Sequence, residues 1–106
     1  MNLSTVSDKI VFSILKDIKV GHLKLTNYDG NNYSFGNIKD SLHANIKIKN
    51  KDFTFNLIKS GSVGLAESYM NSYFETSNLS NLIEITARNI KQIHKFSGLL
   101  DLSFIN

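Results

Sequence analysis

The stretch HLKLTNYDGNNYSFGNIKDSLHANIKIK, residues 22–49, decides the fold class. Leu23 and Leu25 alternate with His22, Lys24 and Thr26, a period of two that makes one face apolar. Tyr33 and Phe35 alternate on a return strand that ends near Gly36-Asn37. Leu42, Ala44, Ile46 and Ile48 form a third alternating run, with His43, Asn45, Lys47 and Lys49 opposite. Between the first two runs lies Asp29-Gly30, a strong hairpin signal, because a type I′ turn needs positive φ at both central residues. The expectation is an antiparallel meander with one buried face.

On either side of this stretch the period lengthens to that of a helix. Before it, Val6, Ile10, Val11, Ile14, Leu15 and Ile18 make one stripe over 4–19, with Ser4 or Ser7 as cap and Gly21 closing the segment. After it, Asn50-Lys51-Asp52 is turn chemistry with Asp52 as a plausible N-cap. Phe53, Phe55 and Leu57 suit a strand, whereas Phe53, Leu57 and Ile58 suit a short helix; the helix, stopped at Gly61, is preferred. The segment GSVGLAESYMNSYFE, 61–75, then divides at 100° per residue. Leu65, Ala66, Tyr69, Met70, Tyr73 and Phe74 fall on one side, and Glu67, Ser68, Asn71, Ser72 and Glu75 on the other, giving an amphipathic helix over about 62–74.

Thr76-Ser77-Asn78 caps a last helix over 78–97, with Leu79, Leu82, Ile83, Thr86, Ala87, Ile90 and Ile93 on one face and Gly98 at its end. Ile85 and Phe96 point to the other side of that helix. With the apolar tail LLDLSFIN they read either as a strip docking a second domain or subunit, or as a stray surface residue beside a frayed end. The tail itself is expected to pack down or to lead into a further domain. No repeat, linker or low-complexity segment breaks the chain, so residues 1–106 read as one α+β domain, an antiparallel sheet with helices packed on one face.

Composition narrows the chemistry. A chain of 106 residues with 42% hydrophobic and 20% charged residues is ordinary for a globular domain. It has no cysteine, which excludes disulfides, thiolate metal sites and thiol nucleophiles. No apolar run approaches the ~20 residues of a membrane span, and MNLSTVSDKI has neither the basic nor the apolar region of a signal peptide. The expected compartment is the cytoplasm.

No constellation in the chain reads as catalytic. His22, His43 and His94 lack metal-ligand spacing and are better explained as surface or boundary residues, so no metal is expected. Glu67 and Tyr69 stand two apart on a helix and diverge, and Glu67 reads as a structural carboxylate. Gly61-Ser62-Val63-Gly64 precedes a helix, but no strand leads into a glycine-rich turn that could seat a nucleotide. Net charge is +3, and the excess lies in residues 1–59, where nine lysines face five acids. Lys47, Lys49 and Lys51 share a face, with Lys24 and Lys39 nearby. They read either as a basic patch for anionic lipid or as a solvated face. Nucleic acid is not expected, since no aromatic residues interleave with them and arginine is almost absent.

A set of short matches runs through nearly the whole chain in order: Gly21-His22-Leu23-Lys24-Leu25, Asp29-Gly30, Phe35-Gly36, Ala44-Asn45-Ile46-Lys47-Ile48 and Asp52-Phe53. It peaks in Gly61-Ser62-Val63-Gly64-Leu65-Ala66-Glu67-Ser68-Tyr69-Met70 and closes with Asn78-Leu79 and Arg88-Asn89. Together these resemble the N-terminal domain of the cyclopropane-fatty-acyl-phospholipid synthases, a family of S-adenosylmethionine-dependent methyltransferases. Ala66 and Ser72 stand where that family usually has glycine, and Phe74 where it usually has tryptophan. With the second glycine replaced, the helix is expected to continue to Phe74.

The resemblance implies a non-catalytic accessory domain, similar in build to sterol carrier proteins. A methyltransferase domain follows it in the parent enzymes, which add a methylene across the cis double bond of a phospholipid acyl chain. S-adenosylmethionine and the catalytic residues belong to that following domain, so no cofactor is expected in this chain. The implied partners are a phospholipid surface or acyl chain on the inner face of the membrane, the C-terminal methyltransferase domain, and a second copy in a homodimer. Leu65, Tyr69, Met70, Tyr73 and Phe74 would then face lipid, Lys47, Lys49 and Lys51 would meet the membrane, and Ile85 and Phe96 would dock a domain. A dimerisation module that touches no lipid, or a free-standing lipid carrier, is the alternative.

Overall fold

The computed structural model describes residues 3–89. Its elements in chain order are α1 (Leu3–Lys16), β1 (His22–Thr26), β2 (Asn32–Gly36), β3 (His43–Ile48), α2 (Phe53–Met70), β4 (Phe74–Glu75) and α3 (Leu79–Arg88). The fold is α+β, as expected. One face of the sheet buries Leu23, Leu25, Phe35, Ala44, Ile46 and Ile48. All three helices pack residues against that face: Phe12 and Leu15 from α1, Phe53, Leu57 and Leu65 from α2, and Leu79, Leu82 and Ile85 from α3.

The sheet is mixed rather than an antiparallel meander. Its strand order is β2-β1-β3-β4. β1 pairs antiparallel with β2, β3 joins the other side of β1 in parallel, and β4 adds two residues antiparallel to β3. Alternation reports which side chains are buried but not which strands are neighbours, so the meander was only the simplest of several orders. The third strand reaches the far side of β1 because residues 37–42 cross past the chain entering β1 at Gly21. Asn37 donates its N–H to the Gly21 carbonyl at 3.0 Å, and His22 donates to the Leu42 carbonyl at 2.9 Å. The Asp40 carboxylate accepts from the N–H of Gly21 and of Leu42, each at 2.9 Å. Gly21 and Gly36 hold φ of +87° and +85°, and a Cβ on Gly36 would lie 2.2 Å from the Gly21 carbonyl oxygen. Only glycine fits so close an approach at positive φ.

The β1–β2 turn is a hairpin, but not of type I′. Gly30 donates to the Asn27 carbonyl and Asn27 to the Asn31 carbonyl. Gly30 has φ +88° while Asp29 is not at positive φ. Three residues, Tyr28, Asp29 and Gly30, thus form a turn closed by a glycine in the left-handed region. Asp29 instead accepts the Asn31 N–H on its side chain at 3.0 Å.

Residues 53–70 are helical but interrupted at Gly61, whose φ of 55° and ψ of −127° break the helix there. The helix then ends at Met70, not at Phe74. Asn71 donates to the Glu67 carbonyl, Ser72 to that of Tyr69 and Tyr73 to that of Ser68, and this cap turns the chain. Ser72 supplies the reversal with φ of 60°, a left-handed conformation in a residue with a Cβ. Tyr73 and Phe74 therefore leave the helix, and Phe74 becomes the partner of Ile48 in the sheet. In α3 the N-cap is as expected, Asn78 accepting the N–H of Asn81 at 3.0 Å. The remainder of the helix expected to 97, together with Phe96, His94 and the tail, lies outside the described residues.

Two backbone substitutions are expected to act in opposite directions. Gly36→Ala should lower the unfolding free energy by more than about 1 kcal/mol, because its Cβ meets a carbonyl at positive φ. Ser72→Gly should raise it by up to about 1 kcal/mol, the relief of left-handed strain exceeding the entropy cost of glycine. Urea unfolding of both variants followed by circular dichroism checks this. A pH prediction follows from the crossover. The N–H groups of Leu42 and Gly21, and more weakly the charges of His43 and Arg88, hold the Asp40 carboxyl below its ordinary value. Its contribution is then complete above the unfolded-state value, near 4, and is lost as pH falls through the lower folded value. The urea midpoint should decline on acidification through that window, and Asp40→Asn should show a smaller decline.

Candidate functional site

The second half of α2 packs inward through its smallest residues. Gly64 and Ser68, four apart, are buried, and Leu65 beside them is half-buried. A Cβ on Gly64 would lie 2.2 Å from the Asn56 carbonyl oxygen, so the two halves of the broken helix meet at this glycine. The larger apolar residues are turned the other way. Val63 is 60% exposed, Met70 73% and Tyr69 45%. Val63, Ala66 and Met70 fall within about 60° of one another around the helix, with Tyr69 on one flank and the exposed Glu67 on the other. Scattered exposed apolar residues are ordinary, whereas these lie aligned along one helix.

The expected lipid-facing set is therefore split. Tyr69 and Met70 lie on the exposed strip, Leu65 and Tyr73 are half-buried against the core, and Phe74 is 2% exposed. The Phe74 ring packs against Phe53 at 4.9 Å and Tyr69 at 5.7 Å. The helical wheel misplaced Tyr73 and Phe74 because the helix stops four residues before Phe74. Val63 was passed over, although its apolar character next to Gly64 was visible in the sequence.

The lysines occupy a different side. Lys24, Lys47 and Lys49 are exposed on the outer face of the sheet, opposite the helices, and Lys51 is exposed in the turn that follows β3. Glu75 stands among them. It pairs in register with Lys47 and lies 3.0 Å from the Lys49 ammonium. That hydrogen bond and charge, with Lys47 adding to them, hold the Glu75 carboxyl below its ordinary value. The patch is thus partly neutralised, and it does not share a plane with the α2 strip. Both members of the Lys49–Glu75 pair are exposed, so its contribution to stability is small.

The remaining expectations fall as follows. Ile85 is not on an outward strip: it is 3% exposed and lies directly beneath Gly21, where an added Cβ would come within 2.8 Å of its Cγ1. α3 is rotated relative to its most apolar face, burying Leu82, Ile85 and Asn89 while Ile83 is exposed. His22 and His43 do meet, as neighbours on β1 and β3 with ring centroids 5.1 Å apart. His22 is buried rather than at the surface, and its Nδ1 has no hydrogen-bond partner. Among the described residues no group of three histidines, cysteines or carboxylates could hold a metal ion.

A cleft of about 680 Å³ between α1 and the β1–β2 hairpin escaped the sequence reading. Phe12, Tyr33 and Phe35 form its apolar wall, with Phe12 4.8 Å from Tyr33 and 5.9 Å from Phe35. Asp8 is fixed at one end, accepting from the Thr54 hydroxyl at 2.7 Å and the Tyr28 hydroxyl at 3.0 Å. Phe12 lies off the predicted stripe of α1, which is why the cleft was not anticipated.

No helix among the described residues is long and apolar enough to cross a membrane. The chain matches no protein family, no curated protein and no solved structure.

This partition between strip and core makes a direct prediction. Met70→Ser should change unfolding free energy by no more than about 0.5 kcal/mol, as for other surface substitutions. Phe74→Ala should cost about 3–5 kcal/mol, through lost burial and the cavity left between Phe53 and Tyr69. Equal losses for the two would show that Met70 also belongs to the core.

Proposed function

We propose that this chain is a non-catalytic, lipid-facing accessory domain that sits peripherally on a phospholipid membrane through the exposed strip of α2. The observation that supports this reading is the inverted packing of that helix. Gly64 and Ser68 face inward, and Val63, Ala66, Tyr69 and Met70 face solvent. A helix lying in the membrane interface needs such an apolar face, with Tyr at its margin where ring and hydroxyl meet different environments. The resemblance to the N-terminal domain of cyclopropane-fatty-acyl-phospholipid synthases agrees with it. On that reading the catalytic residues and the S-adenosylmethionine site lie in a separate methyltransferase domain, and this domain presents that partner to the inner face of the membrane.

The packing changes which residues are available for such a contact. Tyr69 and Met70 are retained from the sequence-based set, Val63 and Ala66 are added, and Phe74 is withdrawn to the core. Lys24, Lys47 and Lys49 stand on the opposite face, so adhesion rests on apolar contact and depends only weakly on salt.

Co-sedimentation with phosphatidylglycerol vesicles tests this. A double variant, Val63→Ser with Met70→Ser, should bind at least about tenfold more weakly, as expected for the loss of two partly inserted apolar side chains. Lys47→Gln with Lys49→Gln should retain binding. Unchanged sedimentation of the first variant, or loss with the second, would overturn the reading. Calorimetric titration with S-adenosylmethionine should give no heat of binding.

A further inference from the structure

β2 is the edge strand of the sheet. Its free side is fixed by the hydrogen bonds at its two ends. Asn37 donates to Gly21 beyond one end, and Asn27 donates to Asn31 beyond the other. Bonded pairs alternate along an antiparallel ladder, so Leu23–Phe35 and Leu25–Tyr33 are the bonded pairs between these two. Tyr33 and Phe35 therefore turn their main-chain groups toward β1. Asn32, Ser34 and Gly36 turn theirs outward, and all three residues are exposed. Among the described residues no main-chain hydrogen bond reaches their outward groups. The strand, NYSFG, also carries none of the features that usually protect an edge: it has no lysine, no proline, no charge and no bulge.

We propose that β2 is the interface of a symmetric homodimer, in which two copies pair antiparallel about Ser34. With Ser34 opposite Ser34 of the second copy, Asn32 falls opposite Gly36 and Gly36 opposite Asn32. All three outward-facing residues then meet an outward-facing residue, and the central Ser34 pair exchanges two main-chain bonds. A shift of the register by one residue would lose this match, because Tyr33 and Phe35 point inward. On the core face the same register sets Tyr33 opposite the second copy's Phe35, twice over, in close non-bonded pairs. Aromatic cross-strand pairs of this kind stabilise sheets. No charged residue opposes its like across the axis. An extended peptide could satisfy the same main-chain groups, but it would not supply this reciprocal aromatic match. The wall of the cleft beneath α1 ends at Tyr33 and Phe35, and the second strand would continue it. This inference stands apart from the membrane reading and does not need it.

Light scattering across a concentration series reads the mass directly. The native chain should move toward the mass of two 11.9 kDa chains as concentration rises. The Ser34→Pro variant should stay at one, because proline removes the central outward donor without touching the ladder to β1. Its melting temperature should remain close to that of the native monomer. A second variant covers the case in which proline disturbs folding. The chain has no cysteine, so Ser34→Cys places a single thiol on the axis. Main-chain-bonded partners stand about 5.5 Å apart between Cα atoms, within disulfide range. Under mild oxidation this variant should cross-link much faster than Ile38→Cys, an exposed control. A native chain that stays at one copy throughout, with Ser34→Cys no faster than the control, would overturn the proposal. So would a dimer that persists in Ser34→Pro, or assembly beyond two copies.

Discussion

The crossing at Gly21 is the constraint on which the rest of the structure depends. Here the chain entering β1 must pass under residues 37–42, since β2 and β3 lie on opposite sides of β1. Two glycines at positive φ provide the space, which the Gly21 carbonyl and the Ile85 side chain occupy, and the Asp40 carboxylate ties the crossing with bonds from Gly21 and Leu42. From the other side Asn89 completes the joint. Its side-chain oxygen accepts from the N–H groups of Lys19 and Val20 at 2.7 and 3.1 Å, and its side-chain nitrogen donates to the carbonyls of Val20 and Ile85. A buried amide satisfied this fully is stabilising, whereas losing it would remove the partners of part-buried main-chain groups at Lys19 and Val20. The end of α3 is thereby fixed to the connection between α1 and β1, and Ile85 is carried in under Gly21.

That anchoring explains why α3 does not bury its most apolar face. Leu79, Leu82, Ile83 and Thr86 describe a wide stripe in sequence, yet the helix is turned so that Ile85 and Asn89 are inside and Ile83 is out. The orientation follows the polar joint and the space at Gly21. α2 shows the same rule with a different cause. The break at Gly61 brings its two halves together, and only Gly64 fits beside the Asn56 carbonyl. Small residues take the inner side by necessity, and the bulky ones are left to solvent. Hydrophobic periodicity assumes that the largest residues face the core; both helices depart from it where backbone approaches backbone.

Much of the fold was legible, and what was not has a physical reason. The three alternating strands, the hairpin, the Asn78 cap, the helix from Phe53 and the stop at Gly61 are local signals, and each appears in the structure. Strand order is not local: it depends on Gly21, Gly36 and Asp40 meeting across the sheet, and no pattern within a single strand reports that. The end of α2 at Met70 was missed because Ser72 adopts a left-handed conformation that its side chain disfavours. That one residue moved Tyr73 and Phe74 from a helix face into a strand. Of the candidate site, Tyr69 and Met70 were identified in the sequence, whereas Val63 and the wall of Phe12, Tyr33 and Phe35 became apparent only with the packing.

The surfaces left by this packing are separated in a way that bears on how they would work together. α2 packs against β4 at one edge of the sheet, whereas β2 lies at the other. The strip of Val63, Ala66, Tyr69 and Met70 and the free groups of Asn32, Ser34 and Gly36 can therefore be engaged at once. Antiparallel pairing about Ser34 places a two-fold axis perpendicular to the sheet, which keeps the helices of both copies on the same side. The two α2 helices would then lie near the outer ends of a continuous sheet, on the side away from both lysine faces. A single strip of a few residues supports only marginal membrane binding. Two strips that met the same surface would make the second contact an intramolecular step and would strengthen the proposed adhesion without any new residue. On the proposed arrangement the uncharged edge of β2 and the exposed side of α2 would serve the same end, with dimerisation setting how firmly the domain holds to a surface.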